Sequence, residues 1–148
     1  MRQVLTSSVM HAITLKHLLL PIEQTKDIVP FRMLDLGCGF GYSSLLYAKL
    51  ATLIRDKQFV MIGSDYHQQF IDQADNNNKK YELKEASVKF VKHDLLSDPE
   101  QTLLGDGDGF DICTIGFELS MDVLRAKEKL FKKDALIIVP LSESSSRS

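Results

Sequence analysis

Short runs of β-branched and aliphatic residues alternate along this chain with longer stretches in which apolar residues recur at helical spacing. That alternation marks βαβ units on a parallel sheet, an α/β fold with helices on both faces. Strands are predicted at Arg32 to Leu36, Gln58 to Ser64, Val88 to His93, Phe110 to Ile115 and Ala135 to Val139. Each is nearly all apolar, as strands covered on two faces must be. Leu46, Leu50, Leu53 and Ile54 mark one crossover helix, and Ile71, Ala74, Asn78 and Tyr81 a second with one polar lapse. A helix is expected from Met121 to Phe131. Another precedes the first strand, where Val9, Ala12, Ile13, Leu15, Leu18 and Leu19 form a broad apolar stripe expected to pack on the sheet. Pro21 and Pro30 bracket the linker that follows it.

With 148 residues, 44% of them hydrophobic, the chain suits one domain over residues 1–140, and its polar, serine-rich tail, 141–148, is expected to be disordered. Eighteen basic and twenty acidic side chains give a net charge of -2, spread along the chain, which offers no footprint for nucleic acid or an anionic membrane. The longest apolar runs fall far short of the roughly 20 residues of a membrane span. The start, Met1 to Ser8, has no apolar segment with a cleavage site, so no secretory signal is read there. Cys38 and Cys113 lack metal or disulfide spacing and fit reduced thiols in the cytoplasm. His11, His17, His67 and His93 have no ligand spacing either, and no metal is expected. The Asp106-Gly107-Asp108-Gly109 stretch reads as a turn into the fourth strand, Asn76 to Asn78 as the fraying end of a helix, and Lys127, Lys129, Lys132 and Lys133 as a solvated face.

The informative segment is Met33-Leu34-Asp35-Leu36-Gly37-Cys38-Gly39-Phe40-Gly41, which ends a strand, makes a glycine-rich turn and opens a helix. Glycines let a ligand approach the backbone where side chains would collide. A dinucleotide fingerprint wants a third glycine at the position of Tyr42 and a helix N-terminus free for a pyrophosphate. S-adenosylmethionine carries no phosphate but does carry an amino group and a sulfonium, and Asp35, two residues before Gly37, is a carboxylate placed to suit them. The cofactor expected is therefore S-adenosyl-L-methionine rather than NAD. Asp65, at the end of the second strand, is expected to accept both ribose hydroxyls, its alternative being a cap for the helix that begins near His67. Asp94, just past the third strand, is the candidate for reading the adenine edge. Cys38, within the turn, and Tyr66, beside Asp65, complete the cofactor set with Gly37, Gly39 and Gly41.

Leu34 to Gly41 resembles motif I of class I methyltransferases. Ile62-Gly63-Ser64-Asp65, with Phe70-Ile71-Asp72 and Asn76-Asn77, is similar to the second strand and helix of the protein-L-isoaspartate O-methyltransferases. Thr6 to Ala12, then Leu15, Leu18 and Leu19, resembles the loop and helix that bring substrate to the cofactor in that family. Phe110-Asp111-Ile112 with Gly116, Leu130-Phe131-Lys132 and Ile137 to Pro140 resemble its fourth and fifth strands. The resemblance covers nearly the whole chain, although only motif I and the Asp65 strand are specific. It implies a Rossmann-like methyltransferase fold with a mostly parallel sheet in the order 3-2-1-4-5. It also implies methyl transfer to the carboxylate of an L-isoaspartyl residue in a damaged protein or peptide. Such chemistry asks mainly for alignment of donor and acceptor. Thr6 matches the family's substrate-loop serine and is the candidate catalytic residue, with Ser7, Ser8 and His11 beside it as substrate contacts.

This chain departs from the family at Ser8 and Val9, where the substrate loop has proline and histidine, and at Lys133-Asp134 in place of a glycine pair. The family's N-terminal substrate-binding segment is not matched, and the chain ends soon after the fifth expected strand. The sheet edge there is expected to be open or covered by a protein partner. Hence the alternative reading, a catalytically idle methyltransferase-like subunit held in a larger complex.

Overall fold

The computed structural model describes residues 3–7, 30–54, 58–81, 83 and 86–140, with the backbone alone for 3–7 and 54. The expected helix over 9–19, Ser8, His11, the start of the linker and the tail 141–148 lie outside these residues. Six strands, β1 (Gln3–Ser7), β2 (Phe31–Leu36), β3 (Phe59–Asp65), β4 (Ala86–Lys92), β5 (Phe110–Ile115) and β6 (Phe131–Pro140), form one sheet. Its order is β1-β6-β5-β2-β3-β4, and every pairing is parallel. The five expected strands are all present and stand in the expected 3-2-1-4-5 order.

β1 is the addition. Gln3 to Ser7, of which Thr6 and Ser7 were expected to open a substrate loop, is a strand in register with Leu136 to Pro140 of β6, so this chain's own backbone lies along the edge expected to be open or covered by a partner. Parallel pairing needs a long crossover, and pairing partners far apart in sequence carry no local signal.

Among the described residues four helices connect the strands: α1 (Tyr42–Ile54), α2 (Gln68–Tyr81), a single turn α3 (Gln101–Leu104) and α4 (Met121–Ala126). Because side chains alternate along a strand, each central strand feeds both faces. Met33, Met61, Ile112, Leu136 and Ile138 pack with Tyr47, Ala48 and Ala51 of α1 on one face. Leu34, Leu36, Ile62, Cys113 and Ile137 pack with Leu103 and Leu124 on the other.

Three local expectations are corrected. The core-facing side of α1 is Leu45, Tyr47, Ala48 and Ala51, while Leu46 and Leu53, read as the buried stripe, are exposed; small alanines let the helix approach the sheet closely. In α2 the buried face is Ile71, Ala74 and Asn77, so Tyr81 is exposed and the helix runs firmly through the asparagine triplet. Asn77 donates to the carbonyl of Phe40 (2.9 Å) and Asn78 to that of Val88 (3.1 Å), tying α2 to the glycine turn and to β4. The expected helix 121–131 stops at Ala126, followed by a 3-10 turn, Glu128–Leu130, and β6 begins at Phe131. Ser120 caps α4 by accepting from the Val123 amide at 3.3 Å. Of the lysine run, Lys132 pairs with Asp111 at 3.1 Å and Lys127 with Glu100 at 3.6 Å, so these two are not a free solvated face.

Candidate active site: a cleft at the carboxyl ends of the strands

The chain runs outward from β2 to β3 and β4, then crosses back to β5 and β6, so strand order reverses between β2 and β5. In a parallel α/β sheet the loops leave that reversal in opposite directions and a crevice opens outside the carboxyl ends. A cleft of about 530 Å³ lies there. Its walls come from four neighbouring strand ends: Leu36 and Gly37 at the end of β2, Ser64 to His67 at the end of β3, His93 to Leu96 after β4, and Gly116 to Ser120 after β5.

The glycine turn is held from below. The amides of Gly37 and Cys38 both donate to the Ser64 carbonyl, at 2.8 and 2.9 Å, and the Gly41 amide donates to the Cys38 carbonyl at 3.0 Å. Gly37, Gly39 and Gly41 have φ of 75°, 56° and 84°, a left-handed region that side chains rarely adopt. A methyl group built on Gly39 would meet no atom within 4 Å, so the turn presents bare backbone to open space. At Gly37 the same methyl would strike the Phe117 ring at 2.7 Å. Phe117 therefore folds over the first glycine at the cleft's rim.

Asp65 joins two of these loops. One carboxylate oxygen accepts from the Gly39 amide and the other from the His67 amide, both at 3.0 Å. The same side chain thus steadies the glycine turn and the start of α2 while lining the cleft. Each carboxylate oxygen has a second acceptor position, so the structural role and a ligand-binding one are compatible.

Asp35 is placed differently. Its carboxylate is buried, does not line the cleft, and accepts from the Ser44 hydroxyl (2.6 Å) and the Thr114 hydroxyl (3.0 Å). It braces the strand ends under the turn. Ser44 and Thr114 were not legible as its partners, because the register that sets Asp35 beside Thr114 is a tertiary fact. Asp35→Ala should leave both hydroxyls buried without their acceptor. The expected loss is about 2 to 4 kcal/mol of stability, to be read by denaturant unfolding; a loss under about 0.5 kcal/mol would contradict the bracing role.

Cys38 points its thiol into the apolar cluster of Leu45, Ile71, Ala74 and Phe90 rather than into the cleft. Burial, with Asp35 and Asp65 nearby, raises its pKa well above the ordinary thiol range, and burial does the same for Cys113. Neither is a thiolate at neutral pH. Tyr66 lines the cleft and is exposed. Asp94 also lines it; its carboxylate accepts from the Leu96 amide at 3.0 Å, and that bond, with the Ser97 hydroxyl, holds its pKa below the usual range.

Thr6 and Ser7 sit at the carboxyl end of β1, on the same edge of the sheet as the cleft but two strands, about 10 Å, beyond β5. Their side chains, with Ser8 and His11, lie outside the described atoms. Among the described residues no group of histidine, cysteine, aspartate or glutamate is arranged to hold a metal, and no helix is long and apolar enough to cross a membrane.

The profile of a methyltransferase-domain family matches residues 30–144, the whole of the sheet from β2 onward and every loop of the cleft. This chain belongs to that family. No curated protein matches it. As a methyltransferase domain it uses S-adenosyl-L-methionine, and several of the similar structures hold the demethylated product. A Plasmodium falciparum protein assigned as a protein-L-isoaspartate O-methyltransferase, solved with S-adenosyl-L-homocysteine, superposes with a TM-score of 0.60 at 22% identity over 94% of this chain and 62% of its own. The plantazolicin methyltransferase BpumL, also with the homocysteine product, gives 0.58 at 19% over 95% and 51%. The precorrin-6y C5,15-methyltransferase of Geobacter metallireducens gives 0.59 at 16% over 97% and 71%. The chain thus spans less than two thirds of the first two, and the neighbours differ widely in what they methylate.

The described cleft fits the cofactor. It offers the Gly37 backbone, a carboxylate at Asp65, and apolar walls from Leu95, Leu119 and Val123 for a flat base, and the open backbone of Gly39 meets that same Asp65 carboxylate. Phe117, Leu95 and Leu119 were not singled out from the sequence, and Gly116 only as part of the fourth-strand resemblance; nothing local marks a residue as the lip of a cleft formed by distant loops.

Proposed function

We propose that this domain transfers a methyl group from S-adenosylmethionine to the carboxylate of an L-isoaspartyl residue in a protein or peptide. The observation that carries the cofactor half is Asp65, one carboxylate that pins the glycine turn and faces a cleft at the reversal of strand order. The bound sulfonium supplies an activated methyl group, so the chain's task is to hold donor and acceptor in line. Gly39 admits the amino-acid end of the cofactor to the backbone, Gly37 and Gly41 give the turn its left-handed bends on either side, and Asp65 takes the ribose. Asp35 keeps that turn in shape from beneath, and Asp94 anchors the loop that walls the base. The acceptor half is supported by the resemblance of Thr6 to Ala12 and of the Asp65 strand to the isoaspartyl family. Thr6 and Ser7 on the carboxyl edge are the candidates for orienting the acceptor.

The test is calorimetric titration of the chain with S-adenosylhomocysteine, with NADH as control, followed by methyl transfer to an isoaspartyl peptide and its aspartyl twin. Binding of the first ligand alone and methylation of the isoaspartyl peptide alone are expected. No binding would refute the cofactor site. Binding with no isoaspartyl methylation would leave the cofactor site standing and refute the acceptor.

A further inference from the structure

Every exposed position of α1 among the described residues lies on one line along the helix: Tyr42, Leu46, Lys49 and Leu53. Three of these are large and apolar, Tyr42 being 58% exposed, Leu46 50% and Leu53 70%. The opposite side of the helix, Leu45, Tyr47, Ala48 and Ala51, is already buried. A helix that is apolar on its outer side as well as its inner one is ordinarily covered on both. Tyr81 and Leu83 continue the face, and with Tyr42, Leu46 and Lys49 they line a groove of about 430 Å³. None of these residues lines the cofactor cleft. The exposed side chains together leave on the order of 400 Å² of contiguous apolar surface, the size of the largest patch on an ordinary monomer and commonly a functional one.

The spacing says what fits. From Tyr42 the line advances by four, three and four residues, the alternation of a coiled-coil seam, and it therefore reads the same from either end. Turned about a two-fold axis, the line meets itself. Tyr42 then faces Leu53 of the partner subunit, and Leu46 faces Lys49 of the partner subunit, whose methylene stem lies along the leucine while its ammonium reaches water. α1 carries no acid and a single lysine, and the chain's net charge is only -2, so charge does not oppose the approach of two copies. We infer that two copies of this chain pair α1 against α1, antiparallel about a two-fold axis, and leave both cofactor clefts open. The face is about half of the roughly 800 Å² that each member of a standard complex buries. The dimer is accordingly weak, with a Kd of about 10 to 100 µM.

This inference does not depend on the proposed reaction. Analytical ultracentrifugation of the full chain from about 1 to 500 µM should show a monomer giving way to a dimer. Leu53→Lys should keep the chain monomeric throughout, while its melting temperature at 1 µM stays within about 2 °C of the unaltered chain's, as for a surface change. The register is read by cysteine cross-linking under oxidised glutathione, the native Cys38 and Cys113 being buried. A mixture of Tyr42→Cys and Leu53→Cys chains should form the disulfide-linked dimer faster than either chain alone. In the antiparallel pair the two copies of either cysteine lie about 16 Å apart, the rise of eleven residues. A chain that stays monomeric to 500 µM overturns the inference. In that case a lower melting temperature in Leu53→Lys would assign the face to this chain's own segment 9–19, and an unchanged one to a different protein. A dimer untouched by Leu53→Lys, or fastest cross-linking of Tyr42→Cys with itself, overturns it as well.

Discussion

Replacing Asp65 by alanine is expected to weaken S-adenosylhomocysteine binding by about 100-fold or more. Two effects combine. The carboxylate's own hydrogen bonds to a ribose would go, each charge-assisted bond being worth about 1.5 to 3 kcal/mol. The Gly39 and His67 amides would also lose their acceptor, so the turn and the start of α2 would no longer be pinned to each other. Asp65→Asn separates these effects only in part, since its amide nitrogen would face one of the two backbone donors. Titration calorimetry reads the affinity and circular dichroism checks the fold. Wild-type affinity in folded Asp65→Ala would remove the ribose role and leave Asp65 a bracket between loops.

Gly41→Val is expected to lower stability by about 3 kcal/mol, from two independent causes. A φ of 84° is strained for any residue with a side chain, at about 1 to 2 kcal/mol. The first side-chain carbon would also fall 2.7 Å from Phe90 Cζ and 3.0 Å from the Ala74 methyl, in a cluster that is already full. Overpacking of that kind costs about 1 to 3 kcal/mol. For a chain of this size the melting temperature should drop by about 10 °C. Phe90→Leu in the same chain should recover part of the steric loss but none of the backbone strain, so a double-mutant cycle should show a favourable coupling. Zero coupling would mean that Phe90 does not fill the space above Gly41. Phe90 also closes over Gly63, whose added carbon would meet it at 2.6 Å, so one ring sets the glycine requirement at both positions.

The α/β class, the five strands from β2 to β6 and the glycine turn with Asp65 beside it were all legible in the sequence. The reason is local: strands covered on both faces must be continuously apolar, crossover helices must be longer and periodic, and a turn with three left-handed positions must spend glycines on them. The helix faces were less legible. A periodic stripe of large apolar residues marked Leu46 and Leu53 on α1, yet the sheet is met by Ala48 and Ala51, because close approach of helix to strand selects for small size and not only for hydrophobicity. In α2 the polar lapse was read at Asn78, whereas the buried asparagine is its neighbour Asn77, which holds the Phe40 carbonyl.

What the tertiary structure alone decided is which acid faces which way. Asp35 and Asp65 read alike, each a carboxylate at a strand end beside glycines. Alternation turns Asp35 toward α1, into the hydroxyls of Ser44 and Thr114, while Asp65 clears the end of β3 and meets the cleft. The same holds for β1, whose place beside β6 joins residues more than a hundred positions apart. Such facts depend on strand register and on parallel pairing across the whole chain, and no window of sequence contains them.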